Sequence, residues 1–226
     1  MLECIEVEPE LPAIGTIIWL HGLGASGDDF APIVPHMQLP DVRFIFPHAP
    51  IRPVTINGGY PMRAWYDITT LEESAIREPL ADVLVAEQHL VELIKREVSR
   101  GVPAKSIILI GFSQGAAMVL HVGHRYPDPL LGVVVMSGYL LAPELFAPEM
   151  SPANVNTPFH FYHGTRDLMV QWRRGHEAYE VVRKHHPLTR WREYPVGHEV
   201  CLEQLRQIRF WFHNRYQHIR TQNSQS

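Results

Sequence analysis

Three residues, Ser113, Asp167 and His198, stand out by their order along the chain and by what surrounds each of them. A serine hydroxyl is a weak nucleophile until a base takes its proton. A histidine serves as that base best when a carboxylate fixes its tautomer. Ser113 lies in Gly111-Phe112-Ser113-Gln114-Gly115, a G-x-S-x-G pattern, between the apolar run Ile107-Ile108-Leu109-Ile110 and the helix-forming run Ala116-Ala117-Met118-Val119-Leu120. Strand, sharp turn and helix in that order are the setting that holds a nucleophilic serine in a strained turn at the end of a strand. A serine capping a helix after a strand would read the same way, so the pattern alone is not decisive. Asp167 follows the apolar run 158–162 and His198 follows the run 190–194. Serine, then acid, then histidine is the chain order this chemistry takes on an open α/β sheet, with all three at the carboxyl ends of strands. Ser113 is therefore expected to be the nucleophile, His198 the base and Asp167 the residue that orients it.

Nucleophilic attack on a carbonyl also needs donors for the oxyanion. His21-Gly22-Leu23-Gly24 follows an apolar run, and Gln114 opens the helix after Ser113. The backbone amides of Leu23 and Gln114 are the expected donors. The chain has 14 histidines, so residue type alone singles out none of them. His121, His124, His176, His185, His186, His213 and His218 fall on helical patterns or their ends and read as packing or surface residues. His160 and His163 have the spacing of a ligand pair but lack a third ligand nearby, so no metal is expected.

A rival pattern overlaps the proposed oxyanion segment. Gly22-Leu23-Gly24-Ala25-Ser26-Gly27 fits G-x-G-x-x-G after a strand and could open a helix at Asp28, as in a dinucleotide site. Against it, the next strand, Val42-Arg43-Phe44-Ile45-Phe46-Pro47, ends without the acidic residue that would hold a ribose. A nucleotide-binding enzyme using Gly22, Gly24 and Gly27 is the alternative from a different class. A non-catalytic hydrolase-like binding protein is another, though it would have no need of His198.

The elements that must position these residues read as alternating strands and helices. Strands are expected at 14–20, 42–47, 106–111, 132–137, 158–162 and 190–194, with an edge strand within 2–8. Most are continuously apolar, as strands buried on both faces of a parallel sheet are. Helices are expected over 73–100 (regular from about Pro79), 113–126, 172–186 and 199–215, each stopped by Gly or Pro or running into the tail. Alternation of this kind gives right-handed crossovers and a doubly wound, mostly parallel sheet. The stretch 47–68 shows no clear element. One domain over residues 1–226 is expected, with about 217–226 as a frayed tail.

Composition narrows the function. A formal charge of −4 over 226 residues offers no basic excess for nucleic acid. The two cysteines, Cys4 and Cys201, read as free thiols. The first residues do not form a signal peptide and no apolar run is long enough to span a membrane, so a cytoplasmic protein is expected.

Taken together, the chain resembles the phospholipase/carboxylesterase family, which includes the acyl-protein thioesterases, from about Thr16 to about Phe212. The matching stretches are Leu20-His21-Gly22-Leu23-Gly24, Trp65-Tyr66-Asp67-Ile68, Gly111-Phe112-Ser113-Gln114-Gly115, His163-Gly164 with Asp167, and Gly197-His198. The run from Asn57 to Ile68 looks most like the bacterial carboxylesterase branch. The resemblance implies an α/β-hydrolase fold without a cap domain, the triad Ser113, Asp167 and His198, and oxyanion donors at Leu23 and Gln114. It also implies acyl contacts at Met62, Trp65, Leu71 and Met169. The implied activity is hydrolysis of short to medium acyl esters by a serine carboxylesterase, without a cofactor. Thioesterase or lysophospholipase action on an S-acylated protein or lipid-like ester is the near alternative. Dimers are common in the family. One departure is visible: relatives often carry a proline after the triad aspartate, where this chain has Leu168-Met169-Val170-Gln171, which leaves the loop's shape open.

Overall fold

The computed structural model describes residues 2–70 and 78–223. Nine strands are formed among them: β1 (Cys4–Val7), β2 (Gly15–Leu20), β3 (Val42–Pro47), β4 (Ile51–Val54), β5 (Tyr60–Arg63), β6 (Ile107–Phe112), β7 (Gly132–Met136), β8 (Phe159–Gly164) and β9 (Arg190–Tyr194). Seven make the main sheet in the order β1-β3-β2-β6-β7-β8-β9. Every pairing is parallel except that of the edge strand β1 with β3. The expected α/β-hydrolase sheet is thus present, with each strand within two residues of its expected bounds.

Helices cover both faces. The short α1 (Val34–Met37) and the long α5 (Leu202–Asn223) bound one side; α2 (Leu80–Ser99), α3 (Gln114–Gly123) and α4 (Trp172–His185) bound the other. The period of two along a strand divides the side chains between them. Ile18 and Leu20 of β2 enter the core beneath α2 and α3, while Ile17 and Trp19 enter the core beneath α5. Between β7 and β8 the chain makes only short 3₁₀ turns at Pro143–Leu145 and Pro152–Asn154, so no cap domain is inserted there. Among the described residues no helix is long and apolar enough to cross a membrane.

Two expectations about elements are corrected. The stretch 47–68 contains an antiparallel hairpin of β4 and β5, joined through a 3₁₀ turn at Thr55–Asn57 and the left-handed Gly58 and Gly59. Pro53 and Pro61 hid the strands, since proline is tolerated in such a two-stranded ribbon but counts against a strand in a sequence reading. Residues 217–221 are helical rather than frayed. Tyr216 is buried and donates its hydroxyl to the carbonyls of Thr16 and Ser106, at 3.1 and 3.3 Å. One turn later Arg220 grips Asp41 with two bonds of 2.6 and 2.5 Å. These anchors hold the last turns of α5 to the strand ends.

Candidate active site

Ser113 joins β6 to α3 with φ 55° and ψ −119°, a conformation disfavoured for any residue with a Cβ. Close packing enforces it. A Cβ on Gly111 would stand 2.3 Å from the Gly115 carbonyl oxygen, and one on Gly115 would stand 2.5 Å from that of His21. Only glycine at both positions lets α3 start hard against β6 and β2. The Ser113 amide donates to the Met136 carbonyl at 2.9 Å, which ties the turn to β7.

The structure brings Ser113, Asp167 and His198 together although 85 residues separate the first from the last. His198 Nε2 lies 2.9 Å from Ser113 Oγ, and His198 Nδ1 lies 2.7 Å from Asp167 Oδ2. A carboxylate only accepts, so Nδ1 carries the proton and Nε2 is left free to accept from the serine. The other Asp167 oxygen accepts the amides of Met169 and Val170, both at 2.9 Å. This closes the loop 167–170 on itself. Burial disfavours the charged form of Asp167, but the bond and charge of His198 and these two amides prevail and hold its carboxyl below the ordinary value. His163, weighed in the sequence only as half of a ligand-spaced pair with His160 and as part of a family stretch, packs behind this loop. Its Nε2 donates to the Val170 carbonyl at 2.8 Å, and burial pushes its pKa down. The Phe112 ring lies against the His198 ring, with centroids 4.7 Å apart.

The segment expected to face the oxyanion is built as tightly. His21 is buried; its Nδ1 donates to the Gly22 carbonyl at 2.7 Å and its Nε2 accepts from the Ala49 amide at 3.0 Å, fixing the Gly22–Leu23 turn beside Ser113. Gln114 is the first residue of α3, so its amide has no acceptor one turn back and faces out from the helix start. Its side chain is engaged elsewhere. Oε1 accepts from the Trp65 amide and Nε2 donates to the Tyr66 carbonyl, both at 2.8 Å. That clamp was not legible from the motif.

A cleft of about 630 Å³ opens over Ser113 and His198. Leu23, Gln114 and Met169 line it. Trp65 does not. It is 2% exposed, in the core behind the cleft, with its indole N–H donated to the His21 carbonyl at 2.9 Å. Met62 sits on the hairpin, its sulfur accepting from Asn57 Nδ2 at 3.3 Å, and is not part of the cleft wall. Leu71 lies outside the described residues. The wall is instead completed by Ile56, Ile68, Phe112, Tyr139 and Val170 with the charged Glu78 and Arg174. Apart from Phe112 at the end of β6, these sit in loops, turns and at helix starts, where no periodicity marks a side chain as facing a cleft.

The glycine-rich segment does not open a helix that could hold a pyrophosphate. After Gly24 the chain makes a three-residue 3₁₀ turn, Gly27–Asp29. Its start is already filled by Asp29, whose carboxylate accepts the Ser26 amide at 2.7 Å. Asp28 and Asp29 there would repel a phosphate.

Residues 3–214 match the family described as Phospholipase/Carboxylesterase. The chain is 36% identical over 202 residues to Acyl-protein thioesterase 1 of Neurospora crassa, covering 84% of this chain and 82% of that protein. It is 31% identical over 205 residues to Carboxylesterase SOBER1 of Arabidopsis thaliana, covering 88% and 90%. The structure of Zea mays acyl-protein thioesterase 2 superposes with a TM-score of 0.84 at 26% identity, over 95% of this chain and 99% of that one.

Proposed function

The chain belongs to the phospholipase/carboxylesterase family, and from that premise we propose that it is a serine carboxylesterase acting on short to medium acyl esters through an acyl-enzyme. The observation that carries the reading is the continuous hydrogen-bonded line from Ser113 Oγ through His198 to Asp167 Oδ2 at the floor of an apolar cleft. In the first half-reaction His198 takes the Ser113 proton as Oγ attacks the acyl carbon. The developing oxyanion is met by the amides of Leu23 and Gln114, which are rigidly backed by His21 and by the Gln114 side chain. His198 then gives the proton to the leaving alcohol. In the second half-reaction water takes the place of the serine hydroxyl and releases the acid.

Thioester hydrolysis needs the same groups, and a relative named an acyl-protein thioesterase gives this second reading its support. The two differ in the leaving group, so matched oxyesters and thioesters of one acyl group separate them by the ratio of kcat/KM. The test of the common reading is a fluorophosphonate probe with peptide mapping. Labelling at Ser113 alone is expected, together with loss of turnover in Ser113→Ala of about 10⁴-fold or more. Label at Ser26 or Ser137, or substantial activity in the alanine variant, would overturn it.

A further inference from the structure

The cleft is lined by aliphatic side chains and by one charged pair. Ile68 and Val170 pack with the core beneath α2 and α4. Ile56 is joined to Ile68 by an amide-to-carbonyl bond of 2.9 Å, and Met169 precedes Val170. Glu78, just before α2, and Arg174, in the first turn of α4, line the same cleft. Arg174 Nη2 meets Glu78 Oε1 at 2.6 Å, with the two side chains 24% and 11% exposed. The Arg174 guanidinium lies 3.5 Å from the centre of the Tyr139 ring. Tyr139 is buried and shares a 2.6 Å hydrogen bond with the Tyr66 hydroxyl. A Cβ on the neighbouring Gly175 would stand 2.3 Å from the His163 ring, so α4 is seated hard against β8 and Arg174 has little freedom to withdraw.

We propose that the Glu78–Arg174 pair, stacked on Tyr139, is the end wall of the acyl groove and sets the longest acyl chain the enzyme accepts. The proposal rests on the esterase reading above and deepens it. A methylene that travels along Ile56, Ile68, Met169 and Val170 leaves water for apolar surface. One that reaches the pair must strip the remaining water from two charges and gives nothing back to them. Parting the pair to make room would leave two mostly buried charges unpaired and forfeit the stacking on Tyr139. The gain per carbon therefore stops at the pair.

The experiment measures kcat/KM for p-nitrophenyl butyrate, hexanoate, octanoate and decanoate below micelle formation. It compares the wild type, the double variant Glu78→Met with Arg174→Met, and the charge-exchanged Glu78→Arg with Arg174→Glu. The wild type should rise and then level or fall. In the methionine pair the rise should continue, increasing the decanoate-to-butyrate ratio by about tenfold or more, since each methylene buried is worth roughly a factor of four. The charge-exchanged variant should keep the wild-type cut-off, which a merely structural role for the pair would not predict. If the methionine pair does not fold, the neutral pair Glu78→Gln with Arg174→Gln carries the same comparison with the same sign. Active enzymes with parallel profiles would overturn the wall and leave the esterase reading standing. A folded wild type that hydrolyses no ester in the series would overturn both.

Discussion

Asp167 Oδ2 accepts from His198 Nδ1 at 2.7 Å while Oδ1 of the same carboxylate accepts two amides of its own loop. The aspartate is thus locked before any substrate arrives. It holds the imidazole both in place and in one tautomer, and the loop's geometry depends on the carboxylate it positions.

Replacing Asp167 with Asn separates these two jobs. The amide oxygen can still accept from the loop amides or from Nδ1, but its NH₂ competes for the face turned to His198 and favours the wrong tautomer. Near-normal folding is expected with a loss of kcat on the order of 10³–10⁴-fold. Asp28, Asp29 and Asp67 are the other acids of the neighbouring loops. Asp67 is engaged with Thr55, accepting its amide at 2.8 Å and its hydroxyl at 2.5 Å. Near-wild-type turnover in Asp167→Asn, combined with its loss in any of those three, would refute the assignment. The measurement is steady-state hydrolysis of a soluble ester alongside a thermal melt.

Much of this arrangement was legible in the sequence because it depends on order and on local pattern. Continuous apolar runs marked the parallel strands, and residues just after them fell on one rim. Ser113, Asp167 and His198 could therefore be placed together before any contact was known. The cleft wall was not legible, because which side chain of a loop faces a cleft depends on tertiary packing. Trp65 shows the failure. The family resemblance suggested a substrate contact there, yet the clamp of Gln114 and the His21 carbonyl turn it inward. Glu78 and Arg174 were missed for the converse reason: charged residues at helix starts ordinarily face solvent, and only the fold sets them across from each other.

The inward position of Trp65 changes what its removal should do. Trp65→Ala empties a large buried volume and should cost about 3–5 kcal/mol of stability. Trp65→Phe keeps most of the packing but strands the His21 carbonyl, at a cost of about 1–3 kcal/mol. Urea denaturation of both variants reads these losses. The dependence of kcat/KM on acyl chain length should stay close to wild type in whatever fraction remains folded. An alanine variant of unchanged stability with a flattened chain-length profile would return Trp65 to the groove.

Acid should act on the fold through histidines remote from Ser113. His186 is fully buried, its Nδ1 donating to the Asn154 carbonyl at 2.9 Å and its ring packed 4.4 Å from that of Phe159. His124 is equally enclosed, 4.2 Å from Phe146 between ring centroids. Burial pushes the pKa of His186 down to about 4, with His185 nearby adding to it, and that of His124 to about 2, with Arg125 adding to it. Both folded values lie below the ordinary 6.5, so the unfolded chain binds more protons as the pH falls through 6.5. Stability must therefore drop from there towards pH 4, and for His186 alone the drop amounts to about 3 kcal/mol. Asp167 adds a further loss only at lower pH, once its depressed carboxyl is protonated. The check is the urea midpoint from pH 7.5 to 4.5 for the wild type and His186→Gln. The variant should be less stable at pH 7.5, since it loses a packed ring, yet show a shallower decline on acidification because one titrating group is gone. A wild-type midpoint that is flat across this range would mean that these rings gain protons without unfolding, and the account of their burial would fail.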